Sequence, residues 1–102
     1  MQWQEVCEHP SLQNLPFKIE LNEKGQILMS PVKVYHSAFQ GKISQLLPKH
    51  GIVLAECAVK TAKGTKVADI AWCSEARFKK IAGETECSIA PEIFLNLASR
   101  SE

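Results

Sequence analysis

Between Gly51 and Ser74 the chain sets two apolar runs around one short loop, and this stretch limits the fold more than any other. The first run is Ile52-Val53-Leu54-Ala55-Glu56-Cys57-Ala58-Val59-Lys60 and the second is Lys66-Val67-Ala68-Asp69-Ile70-Ala71-Trp72-Cys73. Thr61-Ala62-Lys63-Gly64-Thr65 lies between them and carries the glycine that a tight reversal needs. Two strand-like runs with so short a connection predict an antiparallel hairpin. With 102 residues in all, the chain makes one small domain whose core is limited.

The flanking segments predict the remaining elements. Residues 1–16 form an N-terminal arm with a short helix, interrupted by Pro10 and Pro16. Phe17-Lys18-Ile19-Glu20-Leu21 alternates as a strand does; Asn22-Glu23-Lys24-Gly25 turns, Gln26–Met29 returns, and Ser30-Pro31 closes the hairpin. Residues 36–47 predict a helix with Phe39, Ile43, Leu46 and Leu47 on an apolar face, weakened by Gly41 and ended by Pro48 and Gly51. Ser74 is a good N-cap for a helix from Glu75 to Ile81, stopped by Gly83. A last strand runs from Glu92 to Ala98. The order α-β-β-α-β-β-α-β predicts an α/β or α+β domain, with hairpin-paired strands and flanking helices over residues 17–102.

Composition narrows the function classes. Twelve basic residues against eleven acidic ones give a net charge of +1, so bulk charge makes no case for nucleic acid. Ten of the twelve are lysines, which leaves little material for arginine-type base readout. No apolar run approaches the ~20 residues that span a bilayer. The amino-terminal residues lack the basic-then-apolar character of a secretory signal. Cys7, Cys57, Cys73 and Cys87 are widely spaced, without metal-ligand spacing, and read as reduced, mostly buried thiols of a cytoplasmic protein.

Asp69 is the sole aspartate, and strand alternation puts it on one face with Val67, Ala71 and Cys73. A carboxylate in an apolar row calls for a metal, a cation or a strong donor nearby, or else sits at a strand edge facing water. Glu56 shares a face with Leu54, Ala58 and Lys60; a surface pair with Lys60 is the simplest account of it. Asn96 is a second polar residue in an apolar row, beside Phe94 and Ala98. Lys60, Lys63 and Lys66 gather around one hairpin loop, where they form either a phosphate-binding tip or a solvated one. His36 opens its helix, and no two histidines have metal-ligand spacing.

Taken in order, four segments resemble a restriction endonuclease family of the PD-(D/E)XK nuclease superfamily. The entry hairpin ends in Met29-Ser30-Pro31; a His-led helix follows with His36, Phe39, Ile43 and Leu47; Thr65–Trp72 is similar to the strand bearing the motif aspartate; Ser88-Ile89-Ala90-Pro91-Glu92-Ile93 is similar to the approach to the second acidic strand. The likeness spans about residues 12 to 101. It implies a restriction-endonuclease-like sheet flanked by helices and a Mg²⁺ or Mn²⁺ site for cleaving DNA. Asp69 would be one metal ligand, with Asn96 at the position where the family has glutamate, and Glu56, Lys60 and His36 as neighbours. The family continues with a lysine-bearing helix beyond the point where this sequence stops. An uncharged Asn96 and a missing lysine both weaken metal-assisted hydrolysis, so little or no nuclease activity is expected. A non-catalytic module that binds nucleic acid or protein on the same fold, and a structural remnant without a ligand, are the alternatives. The last strand leaves an open edge, which a second copy of the chain would cover in a homodimer.

Overall fold

A computed structural model describes residues 1–31 and 34–96, apart from the side chain of Tyr35. The fold is α+β, with three helices and two antiparallel sheets among the described residues. Helix α1 spans Trp3–Glu8 and is followed by a 3₁₀ turn at Pro10–Leu12. Strands β1, Phe17–Leu21, and β2, Ile27–Pro31, form a two-stranded sheet. After helix α2, Val34–Ser44, come β3, Ile52–Thr61, and β4, Gly64–Cys73. Helix α3, Glu75–Ile81, and β5, Ile93–Leu95, complete the chain, with strand order β3-β4-β5 in the second sheet.

The local chemistry of each turn explains the boundaries. The β1–β2 reversal is held by Asn22, whose Oδ1 accepts from the N–H groups of Lys24 at 3.0 Å and Gln26 at 2.9 Å. Ser30 and Pro31 belong to β2 rather than closing the hairpin, paired with Lys18 and Phe17. Proline is tolerated there because it ends an edge strand. The β3–β4 loop shrinks to Ala62 and Lys63, with Thr61 paired to Gly64. Gly64 has φ +104, and a Cβ there would lie 2.3 Å from the Leu21 carbonyl oxygen, so only glycine lets the two sheets approach. Ser74 caps α3 as expected, its Oγ accepting from the Arg77 N–H at 3.3 Å.

Strand β4 lies at the centre. Val67, Ala68, Asp69, Ile70, Ala71 and Cys73 are all buried, so both of its faces are covered. Cys57, Val59, Ala68, Ala71, Cys73, Ile81 and Cys87 make one cluster, with Ile52, Leu54 and Phe78 packed against it. A fully buried aliphatic side chain such as Ile70 contributes about 1.5–3 kcal/mol. The N-terminal arm is tied to this body. Val6 is buried, and Trp3 Nε1 donates to the Thr85 carbonyl at 2.9 Å.

Helix α2 departs from the apolar face expected of it. It ends at Ser44, so Leu46 and Leu47 lie beyond it, and Leu46 is 83% exposed. Phe39 is exposed as well, although it has interactions of its own. The side that meets β4 carries His36 and Gln40 instead, one helical turn apart. Both of these polar side chains meet one and the same residue of β4.

Candidate functional site

That residue is Asp69. It is 1% exposed, the water-facing edge position having been the open alternative. Its Oδ1 accepts from Lys18 Nζ at 2.9 Å and lies 3.2 Å from His36 Nε2. Asp69 has further interactions besides these. Three elements thus supply the centre: β4 the carboxylate, β1 the ammonium and α2 the imidazole. Burying a bare carboxylate would cost several kcal/mol, roughly, and the paired cation offsets this.

Strand registers place the other acidic and amide candidates relative to Asp69. Ala55 pairs with Ile70 and Cys57 with Ala68, which sets Glu56 opposite Asp69 on β3. Leu95 pairs with Ile70, so one further residue brings Asn96 level with Asp69 on the β5 side. Glu56 thus lies opposite Asp69 in the gap of the β3–β4 ladder, and Asn96 follows directly after the end of β5. Glu56 and Asn96 are both exposed, whereas Asp69 is buried. Ala98, expected to share a face with Asn96, lies outside the described residues.

The β3–β4 ladder breaks at Glu56. Glu56 has φ +52, a left-handed conformation that is costly for a residue with a Cβ. Gln40 Nε2 reaches into the break: it donates to the Asp69 carbonyl oxygen and, at 3.1 Å, to Glu56 Oε1. Such strain persists where surrounding contacts over-determine it and is frequent at functional positions. The surface pair expected between Glu56 and Lys60 is absent among the described residues, since Glu56 turns to Gln40.

Glu20 completes the surroundings. On β1 it shares a face with Lys18, two residues away, and its Oε2 accepts from the Val67 N–H at 2.6 Å. A carboxylate thus meets the β4 backbone where β5, which pairs only with Ile70 to Trp72, does not reach. Lys18, Glu20 and Gln40 were not among the sequence candidates. The alternation of Lys18 and Glu20 on β1 and the His36–Gln40 spacing on α2 were the available signals. Both were obscured by attention to the apolar residues of the same segments.

The hairpin lysines are less unified than their spacing implied. Val59 pairs with Lys66 and Lys60 with Thr65, so the pleat sends Lys60 and Lys66 to opposite faces. Lys60 and Lys63 are exposed, and Lys66 is half-buried beside buried Val59.

A divalent ion does not suit this centre as it is built. Mg²⁺ takes hard oxygen donors in octahedral geometry. Here Asp69 Oδ1 already holds an ammonium at 2.9 Å, whose like charge opposes a dication at this carboxylate. The carboxylates of Glu56 and Glu20 are engaged by Gln40 and by the Val67 N–H. Chemically, the arrangement fixes a buried carboxylate, orients an imidazole and joins β1 and α2 to the central strand. Comparison with family models, curated proteins and solved structures finds no match for the chain.

Proposed function

We propose that the chain is an endonuclease-fold protein with little or no phosphodiester hydrolysis of its own, its Asp69 centre serving as an internal charge-paired lock. The observation that supports this reading is the ion pair between Lys18 and buried Asp69, at the strand position that resembles a nuclease metal ligand. For Mg²⁺ or Mn²⁺ to bind through Asp69 Oδ1, the ion would have to displace Lys18. Asn96, level with Asp69, brings a neutral amide where the resembled family has a carboxylate. Supercoiled plasmid incubated with the protein and Mg²⁺ or Mn²⁺ tests the proposal. We expect no cleavage above background. Metal-dependent nicking that disappears in Asp69→Asn would overturn it.

The same incubation, run in a native gel, addresses the second reading, DNA binding without cleavage. Exposed Lys60 and Lys63 at the hairpin tip favour it. Retardation that weakens steeply with salt, and is reduced in Lys60→Ala/Lys63→Ala, would mark phosphate contacts. Homodimerisation belongs to the proposal too. Strand β5 meets β4 along one edge, and its exposed Phe94 and Leu95 give a second copy apolar surface to cover.

A further inference from the structure

Two thiols meet in the core. Cys57 Sγ on β3 lies 3.5 Å from Cys87 Sγ, 30 residues further along the chain. Both residues are buried, at 8% and 7% exposure. The backbone holds them in place: the Cys87 N–H donates to the Ala58 carbonyl at 2.7 Å, and the Lys60 N–H donates to the Cys87 carbonyl at 3.0 Å. A single parallel bridge between Val59 and Cys87 results. Beside the sulfurs is a cavity of about 230 Å³, lined by both cysteines, by Phe78, and by Glu56, Glu84 and Glu86, so it adjoins the residue opposite Asp69. All four cysteines of the chain are free; Cys7 is exposed and Cys73 is buried.

We propose that Cys57 and Cys87 form a redox modification site, converted to an intramolecular disulfide by a small, uncharged disulfide entering through this cavity. The glutamates along the lining disfavour an anionic reagent, and a volume of about 230 Å³ suits a small one. In the first step one cysteine thiolate attacks a sulfur of the reagent, forming a mixed disulfide and releasing one reagent half as a thiol. The second cysteine then attacks the protein sulfur of that mixed disulfide and releases the other half. Two protein S–H bonds are lost and one protein S–S bond forms. The reagent's S–S bond is broken, and its two halves carry away both electrons and both protons. A disulfide needs its sulfurs about 2.05 Å apart, so the pair must close by roughly 1.5 Å, a movement within reach of side-chain rotation.

The crosslink would tie to β3 a segment that other elements depend on. Thr65 Oγ1 on β4 donates to Glu86 Oε2 at 2.6 Å. Thr85 accepts the Trp3 indole N–H on its carbonyl, and its hydroxyl donates to Gln4 Oε1 at 3.0 Å. Oxidation thus fixes the docking point of α1 and a partner of Thr65 together. Burial, and then the contact with Cys87, push the Cys57 thiol up to about 12, so the reaction is slow at neutral pH and the pair resists casual oxidation.

The test uses the whole folded protein and bis-hydroxyethyl disulfide, followed by alkylation and peptide mapping without reduction. The expected result is a linked peptide joining Cys57 to Cys87, with both thiols lost together and a higher thermal midpoint than the reduced protein. Cys7→Ser/Cys73→Ser, which keeps the pair intact, should give the same link, whereas Cys57→Ser should stop at a mixed disulfide. Conversion of Cys7 alone, with Cys57 and Cys87 still free, would overturn the proposal. So would a link that forms only in denaturing urea.

Discussion

Replacing Lys18 with methionine removes the ammonium from Asp69 and keeps most of the side-chain volume. Asp69 is left with a carboxylate that is 2% exposed and has lost the ammonium that sat 2.9 Å from its Oδ1. Deleting one partner of a fully buried ion pair costs about 3–5 kcal/mol, because the survivor is stranded in a poor solvent. Two features reduce that figure here. The Lys18 side chain is 16% exposed, so water reaches part of the site, and His36 keeps its contact with the same oxygen. We therefore expect Lys18→Met to lower stability by about 2–3 kcal/mol. A domain of this size has roughly 5–15 kcal/mol in total, so the variant should still fold. Its thermal midpoint should fall by roughly 10–20 °C, and its urea midpoint by about 1–2 M. Urea titrations followed by the fluorescence of Trp3 and Trp72 measure this directly. In a double-mutant cycle with Asp69→Asn, the two positions should couple by at least about 1.5 kcal/mol. A loss below about 0.5 kcal/mol, with additive effects, would refute the reasoning, since it would mean that the Lys18 ammonium does not stabilise the buried carboxylate.

Two further perturbations test neighbouring parts of the account. Glu56→Gly removes the Cβ that the φ of +52 strains, so it should be more stable than Glu56→Ala by about 1 kcal/mol; both lose the Gln40 contact, which cancels in the comparison. Equal stabilities would show that the left-handed backbone carries no strain. On the acid side, hydrogen bonds from the Ser88 N–H and then its hydroxyl hold the Glu84 carboxyl below its usual range, and Ser74, helped by Arg77, does the same for Glu92. A depressed folded-state pKa stabilises the fold above the unfolded value and loses that contribution as pH falls through the folded one. Urea midpoints should therefore drop below about pH 4.5, and less steeply in Glu84→Gln and Glu92→Gln. An unchanged acid limb in both variants would contradict the assignment.

How much of this was legible in advance depends on which interactions build each part. The central hairpin was, because its β-branched and small apolar runs face cover on both sides and its loop holds a glycine. Ser74 was, because a cap is a local bond between Ser74 and Arg77. The oddity of Asp69 was legible from strand alternation alone, but its partners were not. Lys18 is 51 residues away and reaches Asp69 only through the packing of β1 near β4. Helix α2 misled for a related reason. Its apolar spacing points to a buried apolar side, yet a polar pair, His36 and Gln40, bonds to β4, and both leucines, Leu46 and Leu47, fall past the helix end. The hairpin lysines are adjacent to one loop in the sequence, but which face each takes is a matter of register, here with Lys66 opposite Val59 and Lys60 opposite Thr65.

The most direct test of the central claim is calorimetric titration of Mn²⁺ into the wild-type protein and into Asp69→Asn, side by side. A carboxylate already held by Lys18 and His36 predicts the same weak, featureless heats for both proteins. Stoichiometric binding in the wild type that vanishes in Asp69→Asn would contradict the account, because it would show that the centre takes a divalent ion in spite of Lys18.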